Sequence, residues 1–158
     1  MVRVFTYIYN PSMEIVCRVR PPDDPAEWRA YFHLRWQVLR EPLGLELGTE
    51  QDDLEKVATH AAAWSAADQV LAVGRLHTTG GIEGQIRYMA VDSAWQGLGV
   101  GQAVLTYLEN KAREQGLTQV FLNAREPVVG FYEHCGYANE QEIDPLLGIP
   151  HRRMRKVL

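Results

Sequence analysis

The segment that most restricts this chain is Gln96-Gly97-Leu98-Gly99-Val100-Gly101, because of what stands on either side of it. Before it, Glu83 to Asp92 reads as a strand; after it, Gln102 to Gln115 carries Val104, Leu105, Leu108 and Ala112 at helical spacing and stops at Gly116. Gln119 to Asn123 then reads as a second strand. Strand, glycine turn, helix and strand form a βαβ unit, so the two strands are expected to be parallel with a right-handed crossover. Glycines at such a turn let the backbone approach a ligand closely and aim several N–H groups at one point, and the helix dipole adds its positive end. This is a phosphate site or, equally for an unplaced loop, a tight turn that only packs helix on sheet.

The rest of the chain surrounds this unit. Residues 2 to 9 and 14 to 19 alternate as two strands around Asn10-Pro11-Ser12. Asp24, Pro25 and Glu27 open a first helix whose expected core face is Trp28, Phe32, Trp36 and Leu39, ending before Pro42. Glu41 to Asp53 reads as a loop, with a short helical turn from Asp52 to Val57. Thr59 to Trp64 and Gln69 to His77 are two buried antiparallel strands. A last helix begins at Pro127, runs through Phe131-Tyr132 and stops at Gly136, before strands near Tyr137 to Glu142 and Arg152 to Leu158. Residues 1 to 158 are expected to form a single α/β domain, a twisted mixed sheet of six or seven strands with helices on both faces.

Composition narrows the function. With 20 acidic against 16 basic side chains and no early basic stripe, nucleic acid is not an expected partner. Cys17 and Cys135 are too few for a disulfide framework, and no apolar run of membrane-spanning length or export leader is found, so a soluble cytoplasmic protein is expected. No His, Cys or acid pair has zinc spacing, so no metal is expected. A P-loop would need Gly-Lys-Ser/Thr where the loop ends Gly101-Gln102-Ala103, and a dinucleotide fingerprint would need glycine at Gln102 and an acid near Asn123.

Gln96-x-x-Gly99-x-Gly101 opening a helix, followed by Phe131-Tyr132-x-x-x-Gly136-Tyr137, resembles the GNAT superfamily of N-acetyltransferases. Leu34-Arg35-x-x-Val38-Leu39-Arg40, with Glu50-x-Asp52-Asp53 and His60, resembles its ElaA-like branch more loosely. The resemblance implies a GNAT-like fold whose central parallel strands splay apart after a bulge. It also implies acetyl-CoA or coenzyme A as donor substrate, and direct transfer of acetyl to a small or exposed amine. It assigns main-chain contacts with the donor to Met89, Ala90 and Val91, the Val91 N–H polarising the thioester, and a pyrophosphate cradle to Gly97, Leu98, Gly99, Val100, Gly101 and Gln102. Gln96 would shape that loop in place of a frequent arginine, Asn123 would hydrogen-bond the donor, and Phe131 would pack beside it. Tyr132 would protonate the leaving thiolate, which a phenol still protonated at neutral pH can do.

A side-chain base is left open among Glu50, Asp52, Asp53, His60 and His77, and the acids together would attract a cationic amine. The basic tail from His151 to Lys156 reads as a strand with a solvated face, one arginine of which could reach the donor's ribose phosphate. A CoA-binding sensor with little catalysis, and an acyltransferase using a longer acyl chain or a hydroxyl acceptor, remain as alternatives. Exposed edge strands leave a homodimer open.

Overall fold

Three consecutive alanines, Ala61, Ala62 and Ala63, are fully buried in the middle of a strand because helices press on both faces of the sheet. Ala61 and Ala63 join the core on one side, Ala62 and Trp64 the core on the other, as the two-residue period of a strand requires. The structure, a computed structural model, describes residues 5–10 and 13–158. Pro11 and Ser12 of the expected first turn, and the start of the expected first strand, lie outside the described residues.

The strands are β1 (Thr6–Asn10), β2 (Met13–Arg20), β3 (Thr59–Ser65), β4 (Val70–Thr78), β5 (Glu83–Val91), β6 (Gln119–Arg125), β7 (Ala138–Leu146) and β8 (Ile149–Val157). They form one eight-stranded sheet in the order β1-β2-β3-β4-β5-β6-β8-β7, one strand more than the upper expected count. All neighbours are antiparallel except β5 and β6, the parallel pair expected from the βαβ unit. The helices are α1 (Pro25–Leu39), α2 (Val100–Glu114) and α3 (Val129–His134).

Helix α2 buries Val104, Leu105, Leu108 and Ala112 against the sheet, the stripe its spacing gave, and Gly116 ends it in the left-handed conformation. Gly74 of β4 permits this contact. A Cβ there would fall 2.4 Å from Met89 Sδ and 3.0 Å from side-chain atoms of both Leu108 and Val104.

Helix α1 covers the opposite face. Asp24 caps it by accepting the Glu27 N–H at 2.8 Å, with Pro25 in the first turn. Its buried stripe differs from the expected one: Tyr31, Leu34 and Arg35 are fully buried, while Trp28, Phe32, Trp36 and Leu39 are half-buried around them. The apolar period misleads here because the centre of this interface is polar. Arg35 can lie beneath the helix because Glu55, the Glu50 carbonyl and the Tyr31 hydroxyl take N–H groups from both its Nη atoms, Nε alone having no partner among the described residues. Among the described residues no helix is long and apolar enough to cross a membrane.

Candidate active site

Strands β5 and β6 are hydrogen-bonded only at their beginnings, where Glu83, Gly84 and Gln85 pair with Gln119, Val120 and Phe121. Beyond Gln85 they part, and the β6 edge of β5 is left without a ladder. On its other edge β5 carries a bulge: Ala90 pairs with Val73 but Arg87 with Arg75, so β5 holds one residue more than β4 across this stretch. The bulge centres on Tyr88, whose φ of 57° lies in the left-handed region. Splayed parallel strands after a bulge in the first were the expected arrangement.

Main-chain direction can be followed into the gap. Asp92 donates its N–H to Leu71 O of β4 at 2.9 Å, so the alternation of a strand turns the Val91 N–H and C=O the other way, toward the opening. Gln96 Nε2 reaches the Val91 carbonyl in a long contact of 3.5 Å, tying the glycine loop to the strand end. Ala90, by the same alternation, faces β4, and its side chain is buried in the α1-side core. That corrects its expected place beside the donor: of Met89, Ala90 and Val91, only the outer two address the gap.

The glycine loop rises beside this edge into α2. Gly97 and Gly99 have φ of 74° and 92°, which side-chain-bearing residues adopt only with strain. At Gly99 a Cβ would also fall 2.7 Å from Ile8 Cγ2 of β1. Gly99 is the N-cap of α2 and offers no side-chain acceptor, so the first N–H groups of the helix are open for a ligand. Beside them, between β1, β2 and α2, lies a cavity of about 670 Å³ lined by Ile8, Val19, Gly99, Gln102 and Thr106 among others. Leu98 and Val100 turn into the core and anchor the loop. A Cβ on Gly101 would meet Val91 Cγ2 at 3.0 Å and Phe131 Cζ at 3.6 Å, so the end of β5, the start of α2 and α3 converge at this point.

Tyr132 of α3 is buried, its ring edge-on to Phe131 at 5.0 Å and to Tyr137 at 5.8 Å. Burial pushes its phenol far above the ordinary value, so it keeps its proton throughout the neutral range. Its hydroxyl has no hydrogen-bond partner among the described residues, whereas Tyr137 donates to Glu109 at 2.8 Å. Asn123 accepts from Arg153 Nε at 3.3 Å through its oxygen, which leaves its amide N–H groups as the donating half.

On the α1 side of the gap the bulge turns two successive side chains, Arg87 and Tyr88, toward the same group, the Asp52 carboxylate. Arg75, fully buried, holds Asp52 in a two-pronged pair of 2.6 and 3.0 Å and reaches Glu55 at 2.8 Å. Arg75 keeps the Asp52 carboxyl well below the usual carboxylate range, and Glu55 is lowered by Arg35 against the upward push of burial. The guanidinium carbons of Arg35, Arg75, Arg87 and Arg40 lie 4.4, 4.8, 4.7 and 5.7 Å from the Tyr88 ring centre.

This network disposes of most of the expected bases. Asp52 is occupied by arginines, Glu50 is buried with its carboxylate on the Gly48 N–H and the Gln51 amide, and Asp53 is exposed with no partner among the described residues. The His60 ring lies between Glu55 O at 2.7 Å and the Tyr31 hydroxyl at 2.9 Å. Burial lowers its pKa, and in the neutral ring Nε2 donates to the carbonyl, while Nδ1 competes with Gly74 O, 3.0 Å from the same hydroxyl, for the single Tyr31 proton. Both nitrogens thereby have a polar neighbour. His77 stands opposite Gln85, where β5 and β6 are still joined, away from the gap. Of the loop acids, Asp52 and Glu55 are matched by arginines, which reduces what they can contribute to the expected attraction of a cationic amine. The tail is likewise engaged: Arg152 pairs with Glu126 and Glu142, Arg155 with Glu83 and Glu140, and Lys156 with Glu109.

Residues 24–137 match the family model for the acetyltransferase (GNAT) family. The chain belongs to that family. A Bacillus subtilis (strain 168) protein named only as an acetyltransferase is 28% identical over 126 residues, covering 79% of this chain and 86% of its own. Among solved structures, an aminoglycoside 6'-N-acetyltransferase complexed with coenzyme A superposes with a TM-score of 0.74 at 16% identity, over 88% of this chain and 96% of that one. Escherichia coli ElaA does so with a TM-score of 0.73 at 22% identity, over 90% and 99%. At these identities the two structures show a shared fold.

Sequence reasoning did not find the arginines around Tyr88. One signal was present: Arg75 interrupts the apolar run Leu71-Ala72-Val73-Gly74, and a charge inside a buried strand requires buried partners.

Proposed function

We propose that this family member transfers an acetyl group from acetyl-CoA to an amine. The observation that carries the reading is the parting of β5 and β6 beside the uncapped, glycine-bearing start of α2. The two features match the two ends of the donor: an unpaired strand edge suits the amide-bearing pantetheine arm, and open helix N–H groups suit the pyrophosphate. Coenzyme A bound to a neighbour of the same fold agrees with it.

In this reading the Val91 N–H donates to the thioester oxygen and stabilises the charge that gathers there as the amine attacks. Met89 pairs with the arm through its main chain. Gly97 through Gln102 supply amides to the pyrophosphate, held in place by Gln96. Phe131 packs against the start of α2, and Asn123 donates its amide to the arm. Tyr132, protonated and without another partner, gives its proton to the leaving thiolate. Glu50, Asp52 and His60 are engaged and Asp53 is exposed to solvent, so the ammonium proton of the acceptor leaves through water. The test is calorimetric titration with acetyl-CoA of the wild type and of Gly101→Glu, whose side chain would enter the space between Val91 and Phe131. Micromolar binding lost in the folded variant supports the reading, and no binding by the wild type defeats it.

A further inference from the structure

Leu39 ends α1, so its carbonyl has no partner within the helix. Two arginines from different elements use it: Arg40 Nη1 donates at 3.0 Å, and Arg125 Nη2, from the end of β6, also at 3.0 Å. Arg40 sends its Nε to a second carbonyl, Thr49 O, at 3.1 Å. Among the described residues neither guanidinium pairs with a carboxylate, although nearby Arg35, Arg75 and Arg87 all do. Both are half-buried, and the pKa of Arg125 is lowered by burial and then by the Arg40 charge.

Two like charges gathered on one neutral acceptor repel each other, and this arrangement is disfavoured unless an anion joins them. Each guanidinium has five N–H donors, and carbonyls take only two from Arg40 and one from Arg125. The remaining donors form an incomplete site. Its position is at the gap: Arg125 closes β6 at the end where it has parted from β5, and its bond to Leu39 joins that end to α1. The Arg40 guanidinium also lies 5.7 Å from the ring of Tyr88, the bulge residue of β5. The carboxylates nearest the bulge, Asp52 and Glu55, are already neutralised from below.

We infer that the acceptor amine carries an anionic group, a carboxylate or a phosphate, and that Arg40 and Arg125 grip it. The inference rests on the acetyl-transfer reading and adds the charge of the substrate to it. A forked guanidinium pair recognises oxyanions of either kind, and it would hold the acceptor by its anionic end with the amine free to reach the thioester.

The experiment begins with the full chain saturated with coenzyme A, at constant ionic strength kept with sodium chloride. Inorganic phosphate is titrated in while the unfolding temperature is followed, for wild type, Arg40→Gln and Arg125→Gln. Phosphate should raise the wild-type temperature, and each substitution should reduce the rise, because a ligand bound only by the folded state stabilises it. Thiol release is then compared for ethanolamine phosphate against ethanolamine and for phenylalanine against phenylalaninamide. Any pair that turns over should favour its anionic member by at least about tenfold, and both substitutions should shrink that ratio. No rise in the wild type, a rise that survives both substitutions, or preference for the neutral members overturns the proposal. Failure of acetyl-CoA itself to bind is a separate result, which removes the acetyl-transfer reading beneath it.

Discussion

Asp52 and Arg75 meet through two parallel contacts, Oδ1 to Nη1 at 2.6 Å and Oδ2 to Nη2 at 3.0 Å, with the arginine wholly buried and the acid at the edge of the gap. The pair fixes the loop after α1 to the centre of the sheet and places Asp52 under the Tyr88 hydroxyl. Removing Arg75 alone leaves Asp52 and Glu55 facing each other without their shared cation. Arg75→Met should cost roughly 3–5 kcal/mol by urea denaturation, and adding Asp52→Asn and Glu55→Gln should recover part of that loss. A cost no larger for the single variant than for the triple would show that the network is not coupled.

Tyr132 differs from its neighbour Tyr137 in having no partner for its hydroxyl among the described residues. Tyr132→Phe should therefore leave the unfolding temperature nearly unchanged while lowering kcat by roughly 10²-fold, the usual contribution of a general acid. Tyr137→Phe should do the reverse, since it strips a hydrogen bond from buried Glu109. The phenol of Tyr132 is raised by burial, so the wild-type rate should not fall through pH 10 on its account.

Glu27 pairs with Arg20 at 2.6 and 2.9 Å, and that hydrogen-bonded arginine pulls its carboxyl down from 4.5 to about 2. A depressed acid stabilises the fold above its unfolded value, and the gain is lost as pH falls through the folded one. Stability should thus decline from pH 4.5 toward pH 2, with Asp52 and Glu55 acting in the same direction. Glu27→Gln should flatten part of that slope and cost roughly 1–3 kcal/mol at pH 7, measured by denaturation at several pH values.

The parts legible in the sequence were those whose signal is local. The glycine loop, the apolar stripe of α2 and the parallel strands flanking it follow from residue spacing within one βαβ unit, and the structure holds all of them. The cap of α1 was legible for the same reason, but its buried stripe was not. Tyr31 and Arg35 are inside because Glu50, Glu55, His60 and the Gly74 carbonyl, up to 43 positions away, supply their hydrogen bonds. Long-range polar pairing leaves no periodicity. The carboxylates of the loop looked like solvated charges or bases for the same reason: the arginines that occupy them come from β4 and β5.

Gly97 and Gly101 separate backbone strain from space in the same loop. Gly97 has φ of 74° and nothing within 4 Å of a Cβ, so Gly97→Ala should cost about 1 kcal/mol of stability through its backbone alone. Gly101 lies within α2 without a positive φ, where alanine gains helix propensity, but its Cβ would stand 3.0 Å from Val91 Cγ2. The Val91 side chain must then yield by a few tenths of an ångström, in the residue whose N–H is proposed to address the thioester. Gly101→Ala should hold its unfolding temperature while weakening acetyl-CoA by roughly 10-fold and lowering kcat, since small misplacements of a positioning group are costly. If calorimetry found donor affinity reduced in Gly97→Ala and intact in Gly101→Ala, the donor would be held by the loop alone and Val91 would have no part in binding it.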